Sequence, residues 1–179
     1  MITKLEALKF LKEHQPMPCD EKLTKDIIQK YEEIRKFFLS NKDEECIPLL
    51  LNSFGGKDGF GVYQMVEEVI MMFDKKEVLP HIVNAFENSS EGVIYWNVQI
   101  ASNFPDEILF KPLVEILRNG DEDTKLATIT ALAQLALNNI KVIDVIEVIK
   151  KEASITTDED IIEFAEEVLD DIQNSVEIN

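Results

Sequence analysis

The segment Ile47-Pro48-Leu49-Leu50-Leu51-Asn52-Ser53-Phe54 recurs along the chain at a fixed interval. Related segments are LPHIVNAF at residues 79–86, KPLVEIL at 111–117 and IDVIEVI at 143–149, so that each copy begins 32 residues after the one before. Self-similarity with a period of this size is typical of repeat architectures, in which successive supersecondary units stack on one another. The segment therefore predicts a repeat protein.

The alignment extends beyond the opening segment of each copy. Small or branched apolar residues recur in the second half of the copies, at Val69, Ala101, Ala133 and Ala165. Residues that favour helix N-termini precede these positions, at Asp58, Ser90, Asp121 to Thr124 and Thr156 to Asp158. Each copy thus predicts two helices, and an ordinary helical bundle with accidental spacing is the alternative.

Helical periodicity predicts an all-α fold without strands. The predicted helices cover residues 2–14, 20–40, 43–54, 60–73, 75–88, 92–103, 106–118, 123–137, 140–153 and 158–173. Pro48 and Pro80 are predicted within a turn of helix starts, whereas Pro112 is expected to kink its helix. The predicted architecture is a right-handed α-solenoid of stacked antiparallel helix pairs in one domain, 1–179. It has a divergent N-terminal capping pair at 1–42, four repeats at 43–174 and a tail at 175–179.

The charge of the chain is strongly negative and uneven. The net charge is −17, and residues 152–179 contain ten acidic residues but no lysine or arginine, whereas residues 1–36 are nearly neutral. Such a field repels phosphate backbones and anionic membrane surfaces and attracts basic proteins. We therefore expect neither nucleic acid nor membrane as a partner. A general contribution to solubility is the alternative explanation of the charge.

Other features of the sequence concern the compartment and chemistry. No apolar run is long enough to span a bilayer, and the two cysteines, Cys19 and Cys46, match no metal or redox spacing, which predicts a cytoplasmic protein with reduced thiols. The two histidines, His14 and His81, show no metal-ligand spacing, and the alignment of His81 with apolar residues predicts a partly buried packing role. We expect no catalytic residues, no metal and no cofactor. An enzyme whose site the sequence does not reveal is the weakest alternative.

The paired helices, the early proline, the small residues of the second helix and the acidic turn Asn119–Asp123 resemble HEAT-type repeats of the short-period kind. The resemblance covers residues 43–174 and implies a solenoid whose second helices line a concave face. It departs where the family often has a basic residue early in the second helix, because Lys125 is the only basic residue near that position. HEAT-like DNA glycosylases hold DNA against a basic face, which this chain lacks. The resemblance supports architecture and does not fix an activity.

Aligned positions of the second helices predict the binding surface. Three rows are expected to point outward: Tyr63, Tyr95, Ala127, Glu159; Glu67, Gln99, Ala131, Glu163; and Asp74, Asp106, Asn138, Asp170. Trp96 aligns with polar residues, which indicates either an interface anchor or a residue that fills a gap between helices. The predicted partner-binding residues are Tyr63, Glu67, Asp74, Tyr95, Trp96, Gln99, Asp160, Glu163, Glu167 and Asp170.

These observations predict a non-catalytic protein-binding module that is monomeric when free. A small acidic HEAT-like protein resembles some bacterial immunity proteins, which implies an inhibitor that captures and occludes a basic partner such as a nuclease toxin. The alternative is a general scaffold or assembly factor that binds a peptide or helix in the concave groove, through Tyr63, Tyr95 and Trp96.

Overall fold

The computed structural model describes residues 2–18, 20–56, 64–87 and 90–177. Within these residues the chain is helical and contains no strand, which confirms the all-α prediction. The α-helices are α1 (Lys4–Glu13), α2 (Lys25–Ser40), α3 (Ile47–Leu51), α4 (Gln64–Ile70), α5 (Lys75–Phe86), α6 (Glu91–Ala101), α7 (Phe110–Asn119), α8 (Glu122–Leu137), α9 (Val142–Ile155) and α10 (Glu159–Glu177). Short 3-10 helices lie at Asp20–Lys22, Glu44–Cys46 and Glu107–Leu109.

The chain divides into two compact units, residues 1–97 and 98–179, and the division falls within α6. The predicted single domain therefore stays a prediction. A membrane-spanning helix is absent from the part of the chain described, because none of these helices combines the required length with the required hydropathy.

Local side chains set several of the helix starts. Thr3 and Glu6 form a capping box at α1, and Thr24 caps α2. The Asp121 carboxylate accepts the N–H of Thr124 at 3.1 Å at the start of α8, and the Asp158 carboxylate accepts the N–H groups of Asp160 and Ile161 at the start of α10. The predicted caps of α8 and α10 are therefore confirmed, while Asp58 lies outside the described residues.

Several predicted helices begin later than the sequence indicates. Residues 20–40 were predicted as one helix, but the 3-10 turn at Asp20–Lys22 precedes α2, which begins only after Thr24. The helix predicted at 106–118 begins at Phe110, after the 3-10 turn. Pro112 therefore lies in the first turn of α7, where backbone N–H groups have no partner within the helix, so that a proline breaks no helical hydrogen bond. The kink predicted at Pro112 is therefore not expected. Pro80 is the reverse case, since it lies inside α5 and not in its first turn.

The start of α9 is displaced by two left-handed residues. Asn139 has φ 60° and Lys141 has φ 53°, so that helical geometry cannot continue through the predicted start at Ile140. The Lys141 ammonium lies 3.2 Å from the Glu107 carboxylate and 3.7 Å from that of Asp144.

In the first unit, α3 is much shorter than the predicted helix 43–54. It ends at Leu51, and its backbone carbonyls accept hydrogen bonds largely from side chains instead of from a further helical turn. The donor and acceptor pairs are Gln15 to Leu49 (3.1 Å), Ser53 to Leu50 (2.6 Å), Asn52 to Pro48 (2.8 Å) and Asn97 to Leu51 (2.6 Å). The end of α3 is thus set by the adjacent Asn52 and Ser53 together with side chains from α6 and from the segment after α1.

The core of the first unit is formed by fully buried side chains, among them Tyr31, Phe38 and Phe54. The hydroxyl groups of Tyr31 and Ser53 are hydrogen-bonded to each other within this core. Cys46 is also buried, and burial raises the pKa of its thiol to about 12, so that the thiol is protonated and unreactive at neutral pH. The predicted reduced state of Cys46 agrees with this environment, whereas Cys19 lies outside the described residues.

In the second unit, α8 is the central helix. It packs against α7, α9 and α10, and α10 packs against both α8 and α9. The connections between these helices are short, so that each helix packs against the one before it. The Lys125 ammonium on α8 lies 2.5 Å from the carboxylate of Glu152 on α9, a residue that is only 4% exposed. This ion pair fixes α9 against α8.

Burial follows the repeat alignment at most aligned positions. In the row Leu50, Ile82, Val114 and Ile146 the first three residues are buried and Ile146 is half-buried. Val69, Ala101, Ala133 and Ala165 are all buried. Met72 departs from its aligned residues Phe104, Ala136 and Val168, since it is 37% exposed while they are buried. The half-buried state of His81 agrees with its predicted packing role.

Gly92 at the start of α6 allows a close approach between backbones. A Cβ atom at Gly92 would lie 3.0 Å from the carbonyl oxygen of Gly55 and 3.2 Å from the Cα of Gly56. Gly92→Ala is therefore expected to lower the free energy of unfolding, because overpacking costs about 1–3 kcal/mol and the gain in helix propensity is at most about 1 kcal/mol. Gly56→Ala is the control, since a Cβ there meets nothing within 4 Å. Urea denaturation should show Gly92→Ala as the less stable variant, and the reverse order would contradict the packing.

Candidate functional site

The acidic face of α10 brings four of the predicted site residues together. Asp160, Glu163, Glu167 and Asp170 are all exposed and recur at three- and four-residue spacing, so that they lie along one side of the helix. The other side of α10 is buried through Ile161, Ala165, Val168, Leu169 and Ile172. The amphipathic pattern of α10 thus turns the four carboxylates toward solvent, and we call these four residues the acidic face.

The carboxylates of the acidic face have no ion-pair partner among the described residues, whereas several carboxylates of the first unit do. In the first unit Arg35 donates two hydrogen bonds to Glu32, which with Lys36 lower the pKa of that carboxyl to about 2. Lys4 likewise holds the pKa of Asp43 below its usual range. The acidic face therefore keeps its negative charge available to an external cation.

A second acidic group lies where α8 and α10 begin. Oxygen atoms of Glu122, Asp158 and Asp160 all lie within 4.8 Å of one another. Repulsion from Asp158 first, and then burial and Asp160, raise the pKa of Glu122. The N-terminal ends of two helices partly offset this repulsion, because their free N–H groups carry partial positive charge. The Asp158 carboxylate already accepts hydrogen bonds from backbone N–H groups at the start of α10. The main physical consequence of bringing these three carboxylates together is the repulsion between them.

Glu122→Gln is expected to stabilise the second unit at neutral pH. A carboxyl whose pKa is raised by folding is destabilising when ionised, and this cost is present above its folded pKa and disappears as the pH falls below its unfolded value of about 4.3. The variant should therefore have the higher melting temperature at pH 7, and this advantage should vanish near pH 4. Melting curves measured by circular dichroism at both pH values test this. An equal or lower melting temperature for the variant at pH 7 would contradict the repulsion.

The predicted aromatic site residues Tyr95 and Trp96 make contacts within the first unit. The Trp96 indole N–H donates a hydrogen bond to the Gly56 carbonyl at 2.9 Å, and its ring stacks on the buried Phe54 at 5.8 Å between centroids. Tyr95 packs edge-on against Trp96 and is half-buried. Trp96 thus packs within the first unit, and its two interpretations, an interface anchor and a residue that fills a gap between helices, stay predictions.

The remaining predicted residues are dispersed. Tyr63 lies outside the described residues, and Glu67 on α4 and Gln99 on α6 are half-buried. Asp74 is exposed directly before α5, where its backbone N–H donates to the Glu77 carboxylate at 2.6 Å. Glu67, Asp74 and Gln99 thus belong to a helix start and to half-buried helix sides, and among the described residues only the acidic face groups several predicted residues on one exposed surface.

Two members of the predicted outward rows are buried. Ala127 is 6% and Ala131 is 2% exposed, because α8 has neighbours on several sides and keeps little free surface. The prediction that these positions point outward is therefore wrong. A helix that is apolar around most of its circumference is typically buried on several sides by other helices. The alanine- and leucine-rich sequence of α8 already indicated such burial.

Two surface grooves of the second unit were missed by sequence reasoning. One, between α7 and α9, has a volume of about 570 Å³ and is lined by Phe110, Val114 and Val148 with Lys111, Asp144 and Glu147 at its edges. The other, between α8 and α10, has a volume of about 210 Å³ and joins apolar residues to two carboxylates of α10. Both grooves form between helices that are apart in sequence, so that helical periodicity within one segment does not reveal them.

Comparisons of the chain with protein-family models, with curated proteins and with solved structures gave no significant match.

Proposed function

We propose that the protein is a non-catalytic binding module whose acidic face captures a basic protein partner. The observation that carries this proposal is the set of four exposed carboxylates on one side of α10, within a segment that has no lysine or arginine. A concentrated field of one sign raises the association rate of oppositely charged partners. A basic surface that covers α10 neutralises charges that the fold leaves without ion pairs.

The architecture that we propose for this module is a solenoid of stacked HEAT-like helix pairs. It is supported by the packing of the second unit, where α8 contacts α7, α9 and α10, and by the burial of the aligned residues Ala101, Ala133 and Ala165. Small residues at these positions allow neighbouring helices to approach closely.

The role that we propose is that of a cytoplasmic bacterial immunity or inhibitor protein. A nuclease toxin binds phosphate through a basic surface, and a row of carboxylates offers that surface an alternative set of acceptors. Binding would occlude the toxin's phosphate-binding groups and exclude its substrate, with electrostatic attraction speeding the encounter.

Affinity capture from a native lysate at low salt, followed by elution at high salt, tests this proposal. We expect a basic protein that is retained at low salt and released at high salt, because interactions between exposed charges are screened. Its enzymatic activity, measured after purification, should fall in proportion to added acidic protein until the two are equimolar. A partner that is not basic, or one whose activity is unchanged by saturating amounts of this protein, would overturn the inhibitor role.

The groove between α7 and α9 favours a second candidate, a scaffold that binds a peptide or a helix. Its volume of about 570 Å³ lies in the usual range for ligand sites, and its lining combines apolar residues with charges of both signs. A scaffold of this kind would bind with little dependence on salt. Its affinity would fall on substitution of Phe110 or Val148, whereas neutralisation of the acidic face would have little effect.

A further inference from the structure

The groove between α8 and α10 has an apolar floor and an acidic edge. Leu137, Phe164 and Val168 supply apolar surface, and Leu137 is 39% exposed although it is a large hydrophobic residue. Glu167 and Asp171 line the same groove from α10, one helical turn apart, and both are exposed. The groove therefore offers a hydrophobic contact and two carboxylates within the reach of one side chain.

The volume of the groove limits what it can hold. At about 210 Å³ it is smaller than the range of about 300–1,000 Å³ usual for small-molecule sites. Neither Glu167 nor Asp171 forms an ion pair with another residue that the structure describes. An occupant with one cationic head and an apolar stem matches both the size and the charge.

Arginine fits this combination better than lysine. Its planar guanidinium can donate to two carboxylates at once and can stack on an aromatic ring such as that of Phe164, while its methylene stem packs on Leu137 and Val168. Lysine offers a compact and strongly hydrated charge, which gains less from the ring and from a pair of acceptors.

We infer that the groove between α8 and α10 is a docking site for an arginine side chain of a basic protein partner. This inference rests on the proposed function and deepens it, because it names the residue type that the partner places against α10. The acidic face attracts the partner, and the groove fixes the position of one arginine on the complex.

A defined peptide tests this inference without knowledge of the partner. The probe is a blocked, fluorescein-labelled alanine-based peptide with arginines at helical i, i+4 spacing, and the same peptide with lysines is its counterpart. Fluorescence anisotropy at low ionic strength gives the affinities, and methyl NMR signals of Leu137 and Val168 report whether the groove is occupied. The groove variant is Glu167→Gln with Asp171→Asn. The control variant is Glu159→Gln with Glu166→Gln, which removes the same charge from exposed positions of α10 outside the groove.

We expect the arginine peptide to bind more tightly than the lysine peptide and to shift the two methyl signals. The groove variant should lose about tenfold in affinity for the arginine peptide, because neutralising both carboxylates removes the charged acceptors of the guanidinium. The control variant should lose much less, and Phe164→Leu should reduce the preference for arginine.

Equal losses in the two variants, or equal affinities for the two peptides, would overturn the groove inference and would leave the acidic face as a general attractor of basic proteins. Binding that leaves the methyl signals unshifted would have the same consequence. Absence of binding by either peptide would also overturn the groove inference, while the proposed function would still be decided by the salt-dependent capture and the inhibition assay.

Discussion

Replacing Asn97 with aspartate is expected to destabilise the first unit by about 3–5 kcal/mol at pH 7, the range found when a buried charge is left without a partner. Asn97 is fully buried, and its side-chain amide donates to the backbone carbonyls of Leu51 at 2.6 Å and of Val93 at 2.8 Å. Aspartate has nearly the same shape but presents a carboxylate oxygen to both carbonyls. The substitution therefore replaces two hydrogen bonds by repulsion without creating a cavity.

The pH dependence of Asn97→Asp gives a second readout. Burial raises the pKa of a carboxyl group, so that the destabilisation is fully present above the folded pKa and diminishes as the pH falls below it. Urea denaturation at pH 7 and near pH 5 should show a smaller difference from the parent protein at the lower pH. Asn84→Asp on the exposed side of α5 is the matched control and should change the stability little. A loss below about 1 kcal/mol for Asn97→Asp would contradict the hydrogen-bonding role of Asn97.

Neutralising the acidic face is expected to slow association with a basic partner by at least about tenfold at low ionic strength, because electrostatic steering raises association rates by about 10–10³. The variant combines Asp160→Asn, Glu163→Gln, Glu167→Gln and Asp170→Asn. All four residues are exposed, so that the fold should be retained. Stopped-flow measurement with the partner obtained by salt-dependent capture gives the rate, and the difference from the parent protein should shrink as salt is added.

A matched control variant distinguishes the effect of where the charges lie from the effect of the net charge on the association rate. Glu13, Glu21, Asp26 and Glu87 are exposed carboxyl residues of the first unit, and their neutralisation changes the net charge by the same amount. We expect this control to slow association much less than the variant of the acidic face. Equal effects would show that net charge alone steers the partner, and would remove α10 from the proposed interface.

Most of the helices could be predicted from the sequence because the signals that define them are local. The carboxylates of Asp121 and Asp158 accept hydrogen bonds from backbone N–H groups no more than three residues away, and the apolar positions of α10 recur within the helix itself. The exposed carboxylates Asp160, Glu163, Glu167 and Asp170 follow from the same periodicity. Prediction failed at the start of α9 and at the end of α3, where left-handed residues and distant side chains set the boundary.

For the candidate site, too, some features depend on residues within one segment and others on residues far apart in the sequence. The acidic face was predictable, because charge and helical spacing are both read within one segment. The hydrogen bonds that Trp96 and Asn97 donate to the carbonyl groups of Gly56 and Leu51 were not, since these acceptors lie 40 and 46 residues earlier in the chain. The groove that joins Leu137 to Phe164 and Asp171 needs α8 and α10 to be packed together.

The sequence by itself determined an all-helical chain, its repeated apolar positions and a strongly acidic last helix, because each of these depends on residues within a few helical turns. Only the tertiary structure decided which apolar side chains are buried and which remain exposed. The alanines Ala127 and Ala131 are buried because three helices surround α8, while Leu137 remains partly exposed beside the carboxylates of α10. The physical reason is that periodicity identifies the apolar side of a helix, whereas the number and position of its neighbours arise from contacts between distant parts of the chain.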